Sequence, residues 1–252
     1  MARVTVATAL PEAAAGPGAA AARRVIGLAI ALIAGAAVVL GLVVGFVVAW
    51  WAGIVVAIAV AGGLWLGVVV PRLRGAEGRA LALVGPTRPA DLRREARLLN
   101  LVEGLAPGAG LPRPAVLVVD DDAPNALALG RDGRRGVIVV STGLLERLDR
   151  MQLEAVIAYL LVRIRDGASA GATVSLAFRP SRPPEAAPLE VADSRAVTLT
   201  RYPPALASAL EVLAAAGPAA PRQASPVLGP LWVVPPGDRA SAAERVDALR
   251  GL

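Results

Sequence analysis

The sequence contains no histidine, no cysteine and no lysine, so its 26 basic side chains are all arginines, set against 20 acidic ones in 252 residues. Such a chain cannot form a Ser-His-Asp triad, a Cys-His pair, a lysine Schiff base or a zinc site with nitrogen or sulfur ligands. Disulfides are excluded as well, although the lack of cysteine does not fix the compartment. The polar side chains that remain for chemistry are mainly hydroxyls, carboxylates and arginine.

Aromatic residues are also scarce, at 3% of a chain that is 56% hydrophobic. The arginines are spread along the sequence and are not interleaved with aromatic side chains, as a surface that binds single-stranded nucleic acid would require. We therefore expect no nucleic-acid partner. The net charge of +6 is explained by arginines beside a membrane and their contact with anionic lipid.

A long uncharged run extends from Val25 to Pro71. One helix needs about 20 residues to cross the hydrocarbon of a bilayer, so the run is long enough for two spans joined by a tight turn. The sequence predicts a hairpin with spans near Val25–Val48 and Ile54–Val70 and a turn at Trp50–Gly53, where indoles suit the interface. The alternative for the first span is a cleaved signal peptide, but no polar cleavage region follows it.

Arginines flank the uncharged run on both sides: Arg23, Arg24, Arg72, Arg74 and Arg79. The positive-inside bias then predicts a cell-membrane protein whose termini are both cytoplasmic. We expect a flexible cytosolic tail over residues 1–22, the transmembrane hairpin over 23–74 and a cytosolic domain over 75–252.

The cytosolic part mixes helix and strand patterns. Apolar residues recur at helical spacing from Leu92 to Leu105, and short strands are predicted at Pro114–Val119, Ala126–Leu129 and Gly136–Ser141. Asp132-Gly133 marks a hairpin turn between the last two strands. The adjacent Asp120, Asp121 and Asp122 permit a Mg²⁺ or Ca²⁺ site, but the scattered oxygen ligands of such a loop are missing, so a solvated strand end is the preferred interpretation.

The clearest helix begins at Asp149. Asp149 and Gln152 have the spacing of a capping box, and an apolar stripe runs from Leu153 to Ile164, which predicts a buried helix ended by Asp166-Gly167. Further helices are predicted from Pro188, over about 205–216 and over 240–249. The fold class is therefore α+β, mostly helical with a small β-sheet.

Several separated segments resemble the HtpX-like membrane zinc metallopeptidases, relatives of the CAAX prenyl proteases. The segments are, in order, Leu99–Leu105, Gly110–Val116, Asp121–Gly130, Val139–Leu148, Leu153–Ala158, Leu189–Asp193 and Glu244-Arg245. The resemblance covers nearly all of residues 85–252. It implies a bacterial membrane protein with a gluzincin-like cytosolic domain.

The chain departs from this family where the family holds its zinc. The H-E-x-x-H motif falls on Tyr159-Leu160-Leu161-Val162-Arg163, so both histidine ligands and the general base are replaced. The resemblance places the third zinc ligand at Glu190 and a supporting carboxylate at Asp193, and these are retained. We therefore expect no metal and no cofactor. One carboxylate opposite a guanidinium that never deprotonates cannot hold zinc tightly.

Two hypotheses about retained residues follow from the resemblance. Arg163 is predicted to form an ion pair with Glu190, shared with Asp193, in place of the metal; the alternative is that both Arg163 and Glu190 face solvent. The segment Asn125–Gly130, with Asn125, Ala126, Leu127 and Ala128 at its start, resembles the strand edge that binds extended peptide, unless the 168–187 loop covers it.

These observations favour a membrane-anchored, catalytically inactive homologue of the family, a pseudoenzyme that binds or regulates a peptide or another membrane protein. The alternatives are a purely structural membrane protein and a hydrolase with an unrecognised, non-zinc mechanism. No acidic residue lies in the predicted spans, which excludes an intramembrane aspartyl mechanism.

Overall fold

A computed structural model describes residues 17–132, 134–217 and 220–252. The chain divides into two units, residues 1–65 and residues 66–252. The tail predicted over residues 1–22 lies largely outside the described residues; its last residues, from Pro17, already belong to the first helix.

The described residues of the first unit form one long helix, α1 (Pro17–Leu64), and no turn interrupts it at Trp50–Gly53. A π-helical turn (Trp65–Val69) and α2 (Val70–Arg74) follow it directly along the chain. The stretch Ile30–Arg74 is long and apolar enough to cross a membrane. The predicted two-helix hairpin is therefore not observed. Nothing at the expected turn breaks a helix: the site has no proline, and glycine costs a helix only about 1 kcal/mol.

The second unit consists of nine helices and a four-stranded sheet among its described residues. The strands are β1 (Arg88–Pro89), β2 (Ala115–Val119), β3 (Ala126–Gly130) and β4 (Gly136–Ser141). The helices after α2 are α3 (Ala76–Val84), α4 (Ala96–Gly108), α5 (Thr142–Arg147), α6 (Arg150–Arg165), α7 (Ala168–Phe178), α8 (Leu189–Thr200), α9 (Pro203–Ala215) and α10 (Arg239–Arg250). A 3₁₀ helix spans Pro226–Leu231. The predicted α+β class with a small sheet is confirmed.

The sheet order is β1-β2-β4-β3, so β3 is an edge strand. β2 runs parallel to β4, and β3 and β4 form the antiparallel hairpin predicted around Asp132. Asp132 Oδ1 accepts hydrogen bonds from the backbone N–H groups of Arg134 and Arg135, which closes the turn. The three adjacent aspartates follow β2. Asp120 pairs with Arg88, and the Asp121 carboxylate accepts hydrogen bonds from the backbone N–H groups of Ala123 and Arg222.

Alternation along the strands buries both faces of the sheet. Ala126, Ala128 and Ile138 join a large apolar cluster with α4, α6, α8, α9 and α10. Leu127, Leu129 and Val139 point to the other face, against α3, α7 and Trp232. Because successive side chains of a strand point to opposite faces, the sheet lies between two helical layers.

Helix α6 lies at the centre of the larger cluster, and it begins with the capping box predicted at Asp149. Asp149 Oδ1 accepts the backbone N–H of Gln152 at 2.8 Å, and Gln152 Oε1 accepts that of Asp149 at 3.0 Å. From Ala155 to Ile164 every side chain is buried. This stretch is buried on all sides because α4, α8, α9 and the sheet surround the helix.

Candidate functional site

The candidate functional region, predicted from the sequence, is centred on the last two turns of α6. Tyr159 and Arg163 are one helical turn apart and both are buried. Arg163 Nη1 donates to the Tyr159 hydroxyl at 3.3 Å and to the Leu231 carbonyl at 3.5 Å. Leu160, where the resemblance places the general base, is fully buried in the apolar cluster.

Asp193 on α8 and Arg245 on α10 form a buried ion pair beside Tyr159. The Arg245 Nε and Nη2 atoms donate to Asp193 Oδ2 and Oδ1, both at 2.7 Å, and Arg245 Nη1 donates to the Val233 carbonyl at 2.6 Å. The Arg245 guanidinium also lies 5.1 Å from the centre of the Tyr159 ring. Burial alone lowers the pKa of Arg245, but its hydrogen bonds with Asp193 raise that pKa above its ordinary value, so Arg245 stays charged.

The predicted ion pair between Arg163 and Glu190 is wrong. Glu190 is exposed in the first turn of α8, and Asp193, the other expected partner, is bound by Arg245. Arg163 is nevertheless buried, contrary to the alternative in which it faces solvent. The physical reason is that α10 places Arg245 against both Asp193 oxygens, while Glu190 lies on the exposed side of α8.

Sequence reasoning missed the role of Arg245, although a signal was present. Ala242, Val246 and Leu249 form the buried face of α10, and Arg245 falls on that same face. A charged residue at helical spacing within an apolar stripe predicts a buried ion pair, because an unpaired charge there is strongly unfavourable.

A cavity of about 360 Å³ adjoins Arg163, between the end of α6, the start of α7 and α8. Most of its wall is small or aliphatic: Ala168, Ala187, Pro188, Val191 and Ala192. Its charged lining residues are Arg163, Asp166 and Arg195. Asp166 Oδ2 lies 2.6 Å from Arg195 Nη1, and its Oδ1 lies 3.2 Å from Arg165 Nε.

Zinc does not fit this region. Tyr159 and Arg163 stand where the resemblance places the histidines, Glu190 faces solvent and Asp193 is occupied by Arg245. Within the described ranges no group of three or more Asp, Glu, His or Cys side chains could hold a metal ion. A guanidinium at a ligand position repels a cation, so the side chains at these positions do not form a zinc site.

The strand edge predicted to bind peptide is not open. Leu127 pairs with Trp232 in an antiparallel bridge, and the Ala126 carbonyl accepts the Val233 N–H at 2.9 Å. The Asn125 side-chain amide donates to the Val234 carbonyl at 2.8 Å, and Thr173 Oγ1 on α7 accepts the Gly130 N–H at 3.1 Å. The chain's own Trp232–Val234 segment thus covers most of the edge, and α7 covers its end. Peptide capture there stays a prediction that requires this segment to move.

The comparisons with known proteins indicate a peptidase, and the chain also has an apolar helix long enough to cross a membrane. The sequence profile of Peptidase family M48 matches residues 92–159. A protease HtpX homologue of Tropheryma whipplei (strain Twist) is 32% identical over 207 residues, which cover 64% of this chain and 71% of that protein. The chain therefore belongs to the HtpX protease family.

Other relatives match over shorter stretches. A protease HtpX homologue of Dictyoglomus thermophilum is 52% identical over 69 residues, 27% of this chain and 23% of the relative. One from Acidiphilium cryptum is 43% identical over 101 residues, 39% of this chain and 35% of the relative. Against the Dictyoglomus protein, the chain thus spans about a quarter of the relative's length.

Family membership overturns the prediction of a catalytically inactive regulatory homologue. The relatives carry the name of a protease, the matched profile is that of a peptidase, and nothing in the structure shows that this chain is inactive. The two alternatives, a purely structural role and an unrecognised non-zinc hydrolase, are not favoured either.

Proposed function

We propose that the protein is a membrane-associated member of the HtpX protease family that acts on polypeptide chains and binds them through the unit of residues 66–252. The observation that carries the proposal is the 32% identity over 207 residues to a relative named as a protease. The apolar stretch Ile30–Arg74 supports attachment to a membrane.

We further propose that this unit lies on the cytoplasmic side. Arg72 and Arg74, in the last turn of α2, end the apolar stretch and Arg79 follows it, so three arginines lie on this side against Arg23 and Arg24 on the other. Clusters of arginine at the end of a membrane span favour the cytoplasmic face.

The residues around the cavity support polypeptide binding without a metal. The Asp193–Arg245 pair joins α8 to α10, and the Tyr159 hydroxyl fixes Arg163 at the cavity wall. Rigid, buried side chains of this kind hold a recognition group in place at low entropic cost.

Reconstitution tests the proposal. The full chain is placed in phosphatidylcholine vesicles and incubated with a fluorescently labelled, unfolded polypeptide, with protein-free vesicles as the control. Binding is measured by flotation of the label with the vesicles, and cleavage by new fragments on a denaturing gel. We expect saturable binding that protein-free vesicles lack. The absence of both binding and fragments would refute the proposal.

A further inference from the structure

Arg163 is the only buried charged residue in the described part of the chain that has no ion pair. The other buried charged side chains are Glu95, which pairs with Arg88, and Asp193 and Arg245, which pair with each other. Arg163 is 3% exposed, and its hydrogen-bond acceptors are both neutral. A buried guanidinium without a counterion is unfavourable in an empty site and becomes favourable when an anion binds.

The free donors of Arg163 are suited to a planar anion. Both contacts of its guanidinium use Nη1, and the described residues give Nε and Nη2 no hydrogen-bond partner. These two nitrogens form the edge that binds a carboxylate through two parallel hydrogen bonds, as Arg245 shows with Asp193 in the same region.

The charge and the wall of the cavity indicate which kind of anion the cavity can bind. Arg163 and Arg195 carry two positive charges against the one negative charge of Asp166, so the lining has a net charge of one. Asp166 would repel a dianion. The remaining wall, which includes Ala187, Pro188 and Val191, is apolar. A monoanion attached to a small aliphatic group fits this lining better than a phosphate.

We propose that the cavity beside Arg163 is a binding site for a carboxylate attached to a small aliphatic group, with the carboxylate on Arg163 and the aliphatic part against α8. Given the proposed function, which this assignment deepens, the natural ligand is a carboxylate of a polypeptide. It belongs either to the C-terminus of the polypeptide or to an acidic side chain.

The site itself is tested with isovalerate, a small carboxylate with an aliphatic tail. Thermal unfolding of the full chain in phosphatidylcholine nanodiscs is followed at increasing isovalerate, with sodium chloride and inorganic phosphate at matched ionic strength. We expect isovalerate to raise the melting temperature of the wild type and of Arg113→Met, and to have no effect on Arg163→Met. Arg113 is a matched control because it lies on the surface, paired with Glu103.

A second variant keeps Arg163 in place. Val191 lines the cavity but is 49% exposed, so Val191→Trp fills the cavity without disturbing the core. This variant should fold and lose the isovalerate effect. Three outcomes would each overturn the carboxylate site. The first is an isovalerate effect that is unchanged in both Arg163→Met and Val191→Trp. The others are a larger effect of phosphate than of isovalerate, and no isovalerate effect in the wild type.

Labelled peptides then identify the source of the carboxylate. Three peptides are compared by fluorescence anisotropy: one with a free C-terminus ending in alanine and valine, its C-terminal amide, and the amide with one internal glutamate. A charge-assisted hydrogen bond predicts at least about tenfold weaker binding of the plain amide than of the free acid or the glutamate peptide. Equal binding of all three overturns the peptide assignment while the proposed function stands. Isovalerate binding without binding of any peptide or unfolded polypeptide upholds the site and refutes the proposed function.

Discussion

At the level of individual residues, the pair of Asp193 and Arg245 is distinctive. It is the only ion pair among the described residues in which both side chains are buried, Asp193 at 5% and Arg245 at 3% exposure. Such a pair stabilises the fold little more than a well-packed apolar pair would. The loss of one partner, however, leaves a buried charge without compensation. The pair joins α8 to α10, and Arg245 also holds the Val233 carbonyl next to the β3 edge.

Replacing Asp193 with asparagine should therefore destabilise the second unit strongly. We expect a loss of roughly 3–5 kcal/mol in the free energy of unfolding, measured by denaturant titration of the purified chain. Glu190→Gln on the same helix is the matched control, because Glu190 is exposed; its effect should stay within about 0.5 kcal/mol. Equal stability of the two variants would contradict the role given to the pair.

Glu95 provides a second test at this scale, through pH. Its carboxylate accepts hydrogen bonds from Arg88 at 2.8 and 3.2 Å and from the Asp91 N–H at 2.6 Å. The hydrogen bonds from Arg88, and after them that from Asp91, hold the pKa of Glu95 below its ordinary value despite burial. The folded state therefore binds its proton less readily than the unfolded state does.

Stability from this contact is complete above the pKa of Glu95 in the unfolded chain and is lost as the pH falls through its lower folded pKa. We expect the wild type to lose stability on acidification below about pH 4, and Glu95→Gln to lose less over the same interval. Chemical denaturation at a series of pH values measures this. Parallel curves for the two proteins would contradict the assignment.

The residue scale also shows how far sequence could predict the site. The capping box at Asp149 and the burial of α6 were visible in the pattern of residues, and both are confirmed. The partner of Asp193 was not, because Arg163 and Arg245 are equally plausible by charge. Only the packing of α10 against α8 and α9 decides between them.

At the scale of elements, β2, β3, β4 and α6 match their predicted positions closely, since alternation, turn residues and caps are local signals. The cover of β3 was not predicted, because Trp232–Val234 is more than 100 positions from Asn125 and has no strand pattern of its own. The expected cover, residues 168–187, contributes the hydrogen bond from the Gly130 N–H to Thr173 and apolar packing of α7 against the face of β3.

If β3 can bind peptide, loosening the Trp232–Val234 segment should increase that binding. Val233→Pro removes the N–H that the Ala126 carbonyl accepts, whereas Val233→Ala keeps it and is the matched control. We expect photo-crosslinkable peptides to label the region of Asn125 more strongly in Val233→Pro than in Val233→Ala. No difference would count against peptide capture at this edge.

At the scale of the whole molecule, the main difference from expectation is the membrane segment. Sequence length favours two crossings, because a 45-residue helix extends about 68 Å against roughly 30 Å of hydrocarbon. Local propensity instead favours one uninterrupted helix, because Trp50, Trp51 and Gly53 do not break a helix. Length and propensity conflict, and sequence alone does not decide between them.

Reporter fusions test the proposed orientation. A reporter fused after Arg79 should indicate the cytoplasm, because the arginines after the apolar stretch favour that side. Replacing Arg72, Arg74 and Arg79 with glutamine should weaken this preference, while Arg113→Gln, far from the stretch, should not. A signal from the opposite side of the membrane for the unaltered chain would refute the orientation.

The pairing of Trp232–Val234 with β3 also sets an order of assembly during synthesis. The ribosome delivers β3 and β4 long before residues 231–234, so the hairpin leaves the exit tunnel with one edge unpaired. Until residues 231–234 have left the ribosome, that edge is free to pair with strands of neighbouring nascent chains. The emergence of residues 231–234 is therefore the step that closes this edge against aggregation.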